Sequence, residues 1–235
     1  MRKVKTSFFR GIVDGIPIAL GYLSVSFAFG IMAMRSGLTG KQAVIISAAN
    51  LTSAGQVGGV DVIVSGGTLW EMVFVQLTIN IRYSLMAISL SQNLDSKFTL
   101  LHRLMAAYGI TDEIFAVCTT CEEPVKPSYM YGMIIIAASG WIGGTLIGTV
   151  AGELLPAAVT AALGIVIYGM FIAIVIPPAS KHRSILTVTV IAALLSIVCK
   201  YLLPFLSGGV TVIICAVTAS IIGALLFPQK EETAQ

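Results

Sequence analysis

The sequence predicts an all-α polytopic membrane protein of about eight transmembrane helices, and three observations carry that prediction. The 235-residue chain is 57% hydrophobic and only 11% charged, with a mean hydropathy of +0.95, against about 25% charged residues in a soluble domain. Seven apolar runs, residues 12–34, 42–65, 69–91, 128–151, 155–178, 184–204 and 209–228, are long enough to cross a bilayer, since a core of about 30 Å takes roughly 20 helical residues. The third observation is the placement of Lys and Arg, which favour cytoplasmic loops. Residues 98–124 are apolar but carry Asp112 and Glu113. Counting them as a fourth crossing puts eight basic residues inside (2, 3, 5, 10, 126, 181, 183, 230) and five outside (35, 41, 97, 103, 200). Seven crossings with the amino terminus inside reverse that ratio. The chain is expected to be one integral membrane domain, 1–235, in the cytoplasmic membrane, multi-pass, with both termini cytoplasmic.

The opening "MRKVKTSFFRG" reads as a basic cytoplasmic collar (1–10), because the apolar run after it exceeds a signal-peptide core. The first span, Arg10 to Met34, contains Asp14, Gly15, Pro17 and Gly21. Pro17 leaves the Val13 carbonyl without its helical donor, so a break is expected here, with Asp14 and Pro17 beside a bound solute. The other reading is a simple kink with Asp14 as an interfacial charge favouring the helix dipole.

The second span carries "NLTSAGQVGG", in which Asn50, Ser53 and Gln56 share a face. Such a stripe lines a polar cavity or serves as hydrogen-bonding glue between helices. In the third, "QLTINIRYSL" sets Gln76, Asn80 and Tyr83 on one face and brings in Arg82. A central arginine costs at least about 2.5 kcal/mol to insert. It meets a carboxylate, Asp112 or Glu113 by elimination, or snorkels to an interface. In the fifth, Gly140, Gly144, Gly148 and Gly152 recur every fourth residue as a groove for close helix packing. The pattern leaves open whether the partner is a helix of this chain, a second copy or another subunit.

"GIVDGI" (Gly11 to Ile16) and "GITDEI" (Gly109 to Ile114) hint at an inverted repeat, 11–95 and 103–183, followed by two further helices, 184–228, and a polar tail, 229–235. Coincidence in an apolar alphabet is the competing explanation. Cys118 and Cys121 have redox-motif spacing without a βαβ context, and read as buried thiols before a disulfide or metal pair. The histidines, His102 and His182, stand in no HExxH motif; GxSxG and P-loop motifs are absent too. No catalytic residue, metal site or cofactor is expected, and no nucleic-acid partner.

Together, "FFRGIVDGIPIALGYLSVSFAFGI", "NLTSAGQVGG", "TINIRYSLMAISLS" and "YGITDEIFAV" resemble the AzlC family of bacterial branched-chain amino acid exporters, in the family's order. Many members have Phe-Ala-Gly-Ser-Ala-Gln where this chain has Thr52 to Gln56, and a Leu-Asp-Phe motif where it has Gly164 in place of the acid. The resemblance implies export of leucine, isoleucine, valine or analogues with a small membrane subunit of the AzlD type. On that reading Asp14, Pro17, Asn50, Ser53, Gln56 and Asn80 are candidates for substrate binding, and Arg82, Asp112 and Glu113 for coupling to the proton motive force. The alternatives are a channel or structural subunit supporting a partner transporter, or an exporter of another small solute.

Overall fold

A computed structural model describes residues 7–156, 158–159 and 166–228, and among these the regular structure is helical apart from one isolated bridge. The helices are α1 (Phe8–Arg35), α2 (Gly40–Ala49), α3 (Ser53–Val64), α4 (Leu69–Ser91), α5 (Leu100–Ala107), α6 (Asp112–Thr119), α7 (Pro127–Leu154), α8 (Val166–Lys181), α9 (Arg183–Leu202) and α10 (Gly208–Leu226). Five of them, α1, α4, α7, α9 and α10, are long and apolar enough to cross a membrane. Gly164, where the family's acid is missing, and Arg2, Lys3, Lys5 and Lys230 lie outside the described residues. The chain divides into two compact units, Met1–Val57 with Ile79–Ile167, and Gly58–Thr78 with Tyr168–Gln235.

The frame of the first unit is the pair α1 and α7. A Cβ on Gly140 would fall on the Ala19 carbonyl, one on Gly144 on the Leu23 carbonyl, and one on Gly148 on the Phe27 carbonyl. Each step of four along α7 therefore matches a step of four in the same sense along α1, so the two helices run parallel. Gly11 and Gly30 of α1 meet Tyr129 and Thr145 backbone in return. Gly152 makes only ordinary contacts, 3.5 Å or more from the Met34 side chain. The partner of the glycine groove is thus α1 of the same chain.

The expected break in the first span does not occur. Pro17 lies inside the continuous 28-residue α1. A proline removes one hydrogen bond, whereas the close α7 seam runs along both sides of it, and packing outweighs that loss. Asp14 is held by Arg10 (Nη2 to Oδ1, 2.8 Å) and accepts from the Tyr129 hydroxyl at 2.9 Å.

The interruptions fall in the second and fourth apolar stretches; the fourth closes on itself, and the second bends sharply between α2 and α3. Val125 N–H donates to the Asn93 carbonyl and Asp95 N–H to the Val125 carbonyl, each at 2.9 Å. Laid end to end, the 8-residue α5 and 8-residue α6 would span about 24 Å, so a segment whose two ends hydrogen-bond to each other does not cross. It is a hairpin with its tip at 108–111. Likewise Gln56 Nε2 donates to Ser47 Oγ at 2.8 Å. A chain passing straight through would separate those residues by about 13 Å or more. Neither α5 nor α6 is long enough to cross a membrane by itself, so the count of eight crossings is not confirmed by the helices, and the second stretch is interrupted at 50–52. The hexapeptides of the suspected repeat sit in different settings, Gly11–Ile16 within α1 and Gly109–Ile114 at a hairpin tip.

In the second unit, Val188 of α9 packs on Gly223 of α10, and Cys199 Sγ lies 4.0 Å from Cys215 Sγ, which makes these two helices antiparallel. Ser207 caps α10 through Val210 N–H and donates its hydroxyl to Glu71. All four cysteines are free thiols.

Candidate functional site

The first hairpin turns because its polar residues satisfy the backbone locally. Asn50 leaves α2 in an extended conformation (φ −148°, ψ 116°) and its Oδ1 accepts from Thr52 N–H at 3.2 Å. Thr52 Oγ1 then caps α3 by accepting from Gly55 N–H at 3.3 Å. The Asn50 carbonyl, freed from helical bonding, accepts from Trp141 Nε1 at 3.1 Å and Gln56 Nε2 at 3.2 Å.

At the second tip Thr111 caps α6 by accepting from Ile114 N–H, with Asp112 and Glu113 in the first turn, where acids favour the helix dipole. The Tyr22 hydroxyl of α1 donates to Glu113 Oε2 at 2.6 Å and sits 2.7 Å from Thr111 Oγ1. Its ring meets Trp141 edge-on, centroids 5.1 Å apart. One aromatic pair on the α1–α7 frame therefore holds both tips. The tips also touch directly: the Tyr108 hydroxyl donates to the Ala48 carbonyl at 2.8 Å, supplying a donor that α2 lost when it ended.

Between the tips and α4 lies a cavity of about 190 Å³, walled by Asn50, Thr52, Asn80, Tyr83, Tyr108 and Ile110 among others. Its lining includes Asn50 and Tyr108, which end α2 and α5, and Thr52, which caps the amino end of α3. Carbonyl ends attract cations and N–H ends attract anions, so the two tips together suit a small solute bearing both charges. Beside it, Arg82 Nη1 lies 2.8 Å from Asp112 Oδ2 and 3.1 Å from Oδ1. Arg82 Nη2 also donates to the Tyr83 hydroxyl at 3.2 Å, with the guanidinium 4.9 Å from that ring's centre. The ion pair thus leads through Tyr83 to the cavity wall.

Of the residues singled out from sequence, Asn50 and Asn80 line the cavity; Arg82, Asp112 and Glu113 do not, although Arg82, paired with Asp112, bonds to the lining Tyr83. Gln56 stands behind the first tip. It is fully buried, and its Oε1 meets no donor among the described residues. Ser53 opens α3 without lining the cavity, and Asp14 and Pro17 are not among its lining residues. Sequence reasoning missed Tyr22, Trp141, Tyr108 and Ser47, whose hydroxyl pairs with Thr145 Oγ1 at 2.6 Å. A lone tryptophan inside an apolar span was the one available signal, because buried indole N–H groups seek an acceptor. No group of three or more His, Cys, Asp or Glu able to hold a metal occurs among the described residues.

The family description "AzlC protein" matches residues 17–155, a stretch that contains both hairpins and α7. The chain is 27% identical over 227 residues to the inner membrane protein YgaZ of Escherichia coli K12, covering 93% of this chain and 91% of that one. It is 29% identical over 176 residues to an uncharacterized membrane protein of Archaeoglobus fulgidus, covering 74% and 77%. A Helicobacter pylori membrane protein is 26% identical over 153 residues, covering 62% and 66%. No solved structure matches. With more than half its length matched, and with the match centred on the hairpins that enclose the cavity, the chain belongs to the AzlC family of membrane proteins, which is consistent with a role in membrane transport.

Proposed function

We propose that this chain is a secondary exporter of branched-chain amino acids, leucine, isoleucine, valine or close analogues, in the bacterial cytoplasmic membrane, working with a small AzlD-type subunit. The observation that carries the reading is the cavity between two hairpin tips. Broken helices that offer carbonyl and N–H ends at one point are how secondary transporters hold charged solutes at membrane depth. The ammonium meets the carbonyl ends with Asn50 and Asn80, and the carboxylate meets the N–H ends near Arg82. A cavity of about 190 Å³ is smaller than the roughly 300 Å³ at which drug-sized sites begin, which suits a single amino acid. Asp112 and Glu113 are the groups to carry protons. One proton moving down about 100 mV supplies about 2.3 kcal/mol, enough for a gradient of roughly 50-fold.

The folded-back hairpins also bear on topology. With α1, α4, α7, α8, α9 and α10 taken as crossings and the amino terminus inside, basic residues 2, 3, 5, 10, 97, 103, 126, 181, 183 and 230 fall on the cytoplasmic side, and 35, 41 and 200 on the outer side. Ten to three satisfies the positive-inside rule better than the eight to five of an eight-span chain. Parallel packing of α1 and α7 requires an odd number of crossings between them, which both this arrangement (one) and the eight-span arrangement (three) satisfy, so the charge count is what separates the two. In a variant lacking the four native cysteines, Lys97→Cys is expected to react with an impermeant thiol reagent from the cytoplasmic side alone. Reaction from outside would restore the eight-span arrangement.

The functional reading is tested by counterflow of labelled leucine into proteoliposomes holding the chain with and without the small subunit. Uptake that isoleucine and valine compete away, and lysine and glutamate do not, is the expected result. Folded protein that exchanges none of them in either preparation refutes it.

A further inference from the structure

A second cavity, of about 140 Å³, adjoins the first and shares Ala107 and Ile110 with it. Its walls differ in kind. Leu90, Phe98, Ala106 and Met130 are buried apolar side chains, and Ala87 and Leu94 complete the apolar lining, with Arg103 and Ser91 as its polar members. The first cavity is bounded by asparagines, a threonine, tyrosine hydroxyls and helix ends. The two are neighbours of two chemistries, polar at the hairpin tips and apolar between α4, α5 and α7, with Ala107 and Ile110 in the walls of both.

We infer that the apolar cavity receives the side chain of the amino acid whose charged ends lie between the hairpin tips, and that Ala87 and Leu94 set the size of side chain accepted. The inference rests on the amino-acid reading above and adds the residues that choose among amino acids. An apolar cavity of about 150 Å³ takes a benzene ring, so a space of about 140 Å³ takes a four-carbon branched chain and is too small for an indole. Three further carbons on leucine relative to alanine, at about 0.8 kcal/mol each, convert to a preference of roughly 50-fold. A hydrophilic passage would not be walled this way, because an amino acid crossing it would lose water and gain few polar partners.

The residues make opposite predictions. Ala87→Leu fills the space and is expected to bring the leucine-to-alanine preference below about fivefold. Leu94→Ala enlarges it and is expected to raise phenylalanine at least about tenfold relative to leucine, since the benzyl group carries three more carbons than the isobutyl group, each worth a factor of about four once there is room for it. The measurement is competition by unlabelled alanine, leucine and phenylalanine against labelled leucine in counterflow. It is read as a ratio within each preparation, so that the folded fraction cancels. For a variant that no longer exchanges, the same ratios are taken from ligand-induced thermal stabilisation of the purified full chain, with Ala87→Val as the milder change. Wild-type protein that exchanges leucine and alanine equally, or variants that bind with unshifted ratios, overturns the inference and leaves the cavity as a passage or a lipid-filled recess. Wild-type protein that exchanges no amino acid instead overturns the amino-acid reading and this inference with it, so the two failures are told apart by the wild-type result.

Discussion

Arg82→Gln is expected to reduce leucine exchange by roughly 70-fold while the protein still inserts and folds. Removing the guanidinium leaves the Asp112 carboxylate, now 2.8 Å from its partner, without a counter-charge. An unpaired charge at membrane depth costs at least about 2.5 kcal/mol, and each 1.36 kcal/mol is a factor of about ten in rate. Asp112→Asn alone should be similarly damaging for the opposite reason. The double variant, Arg82→Gln with Asp112→Asn, should recover much of the loss, because two neutral amides need no compensation. Arg82→Lys should fall between, since an ammonium keeps the charge but loses the planar contact with the Tyr83 ring. Both side chains of the pair are 50% exposed on the protein surface, and the magnitude reads what lies over that exposed side. Against water an ion pair is worth about 1 kcal/mol or less, and the single variants would lose only about fivefold. Against protein or lipid the full factor applies. Single variants that exchange at the wild-type rate would remove the pair from the mechanism. Exchange needs no net proton movement, so recovery there leaves proton coupling by Asp112 intact as a proposal. A double variant no better than either single one would show that the Asp112 carboxylate is needed for exchange itself.

Much of this arrangement was legible, and the errors have specific physical origins. Composition and span length point to a helical membrane protein, and the cost of an intramembrane arginine points to Asp112 or Glu113 as its partner, of which the structure pairs Asp112. The glycine period gave a close seam, and α1 proved to be the other side of it. The break was looked for at the wrong residue. Proline is the loudest punctuation in a helix, but Pro17 costs a single bond, and α7 packs against α1 on both sides of it. The true breaks use quieter chemistry, side chains that cap the ends they create. Asn50-Leu51-Thr52 turns through an Asn side chain and a threonine cap, and Thr111-Asp112-Glu113 is a helix start written into the middle of an apolar stretch. The second of these was readable by the ordinary rule for helix beginnings. By hydropathy alone the same stretch is a crossing with two acids in it. Hydropathy measures whether a segment is apolar enough to enter the membrane and carries no information on whether it comes out on the other side. That is decided by pairings such as Asn93 with Val125, which lie far apart in sequence and leave no local signature.

The largest effect on stability is expected from the seam itself, and three glycines within ten residues of α7 separate the explanations. Gly144→Ala places a Cβ on the Leu23 carbonyl and the Ser26 hydroxyl, and Gly148→Ala places one on the Phe27 carbonyl. A carbonyl within a helix has nowhere to retreat, so α1 and α7 must separate along their length. Overpacking of this kind costs about 3 kcal/mol, at the upper end of its usual range. Gly143→Ala adds the same methyl on the same helix, with no atom within 4 Å of it. It should be neutral or slightly stabilising, since alanine is the better helix former by up to about 1 kcal/mol. Thermal unfolding of the three variants in detergent makes the comparison. If Gly143→Ala is as harmful as the others, the glycines are needed for helix flexibility or insertion and not for close approach. If all three are tolerated, α1 and α7 do not meet at this distance. The seam carries Tyr22 and Trp141, which hold the two hairpin tips, so a separated seam should also abolish leucine exchange in whatever protein remains folded. Gly143→Ala should exchange at the wild-type rate.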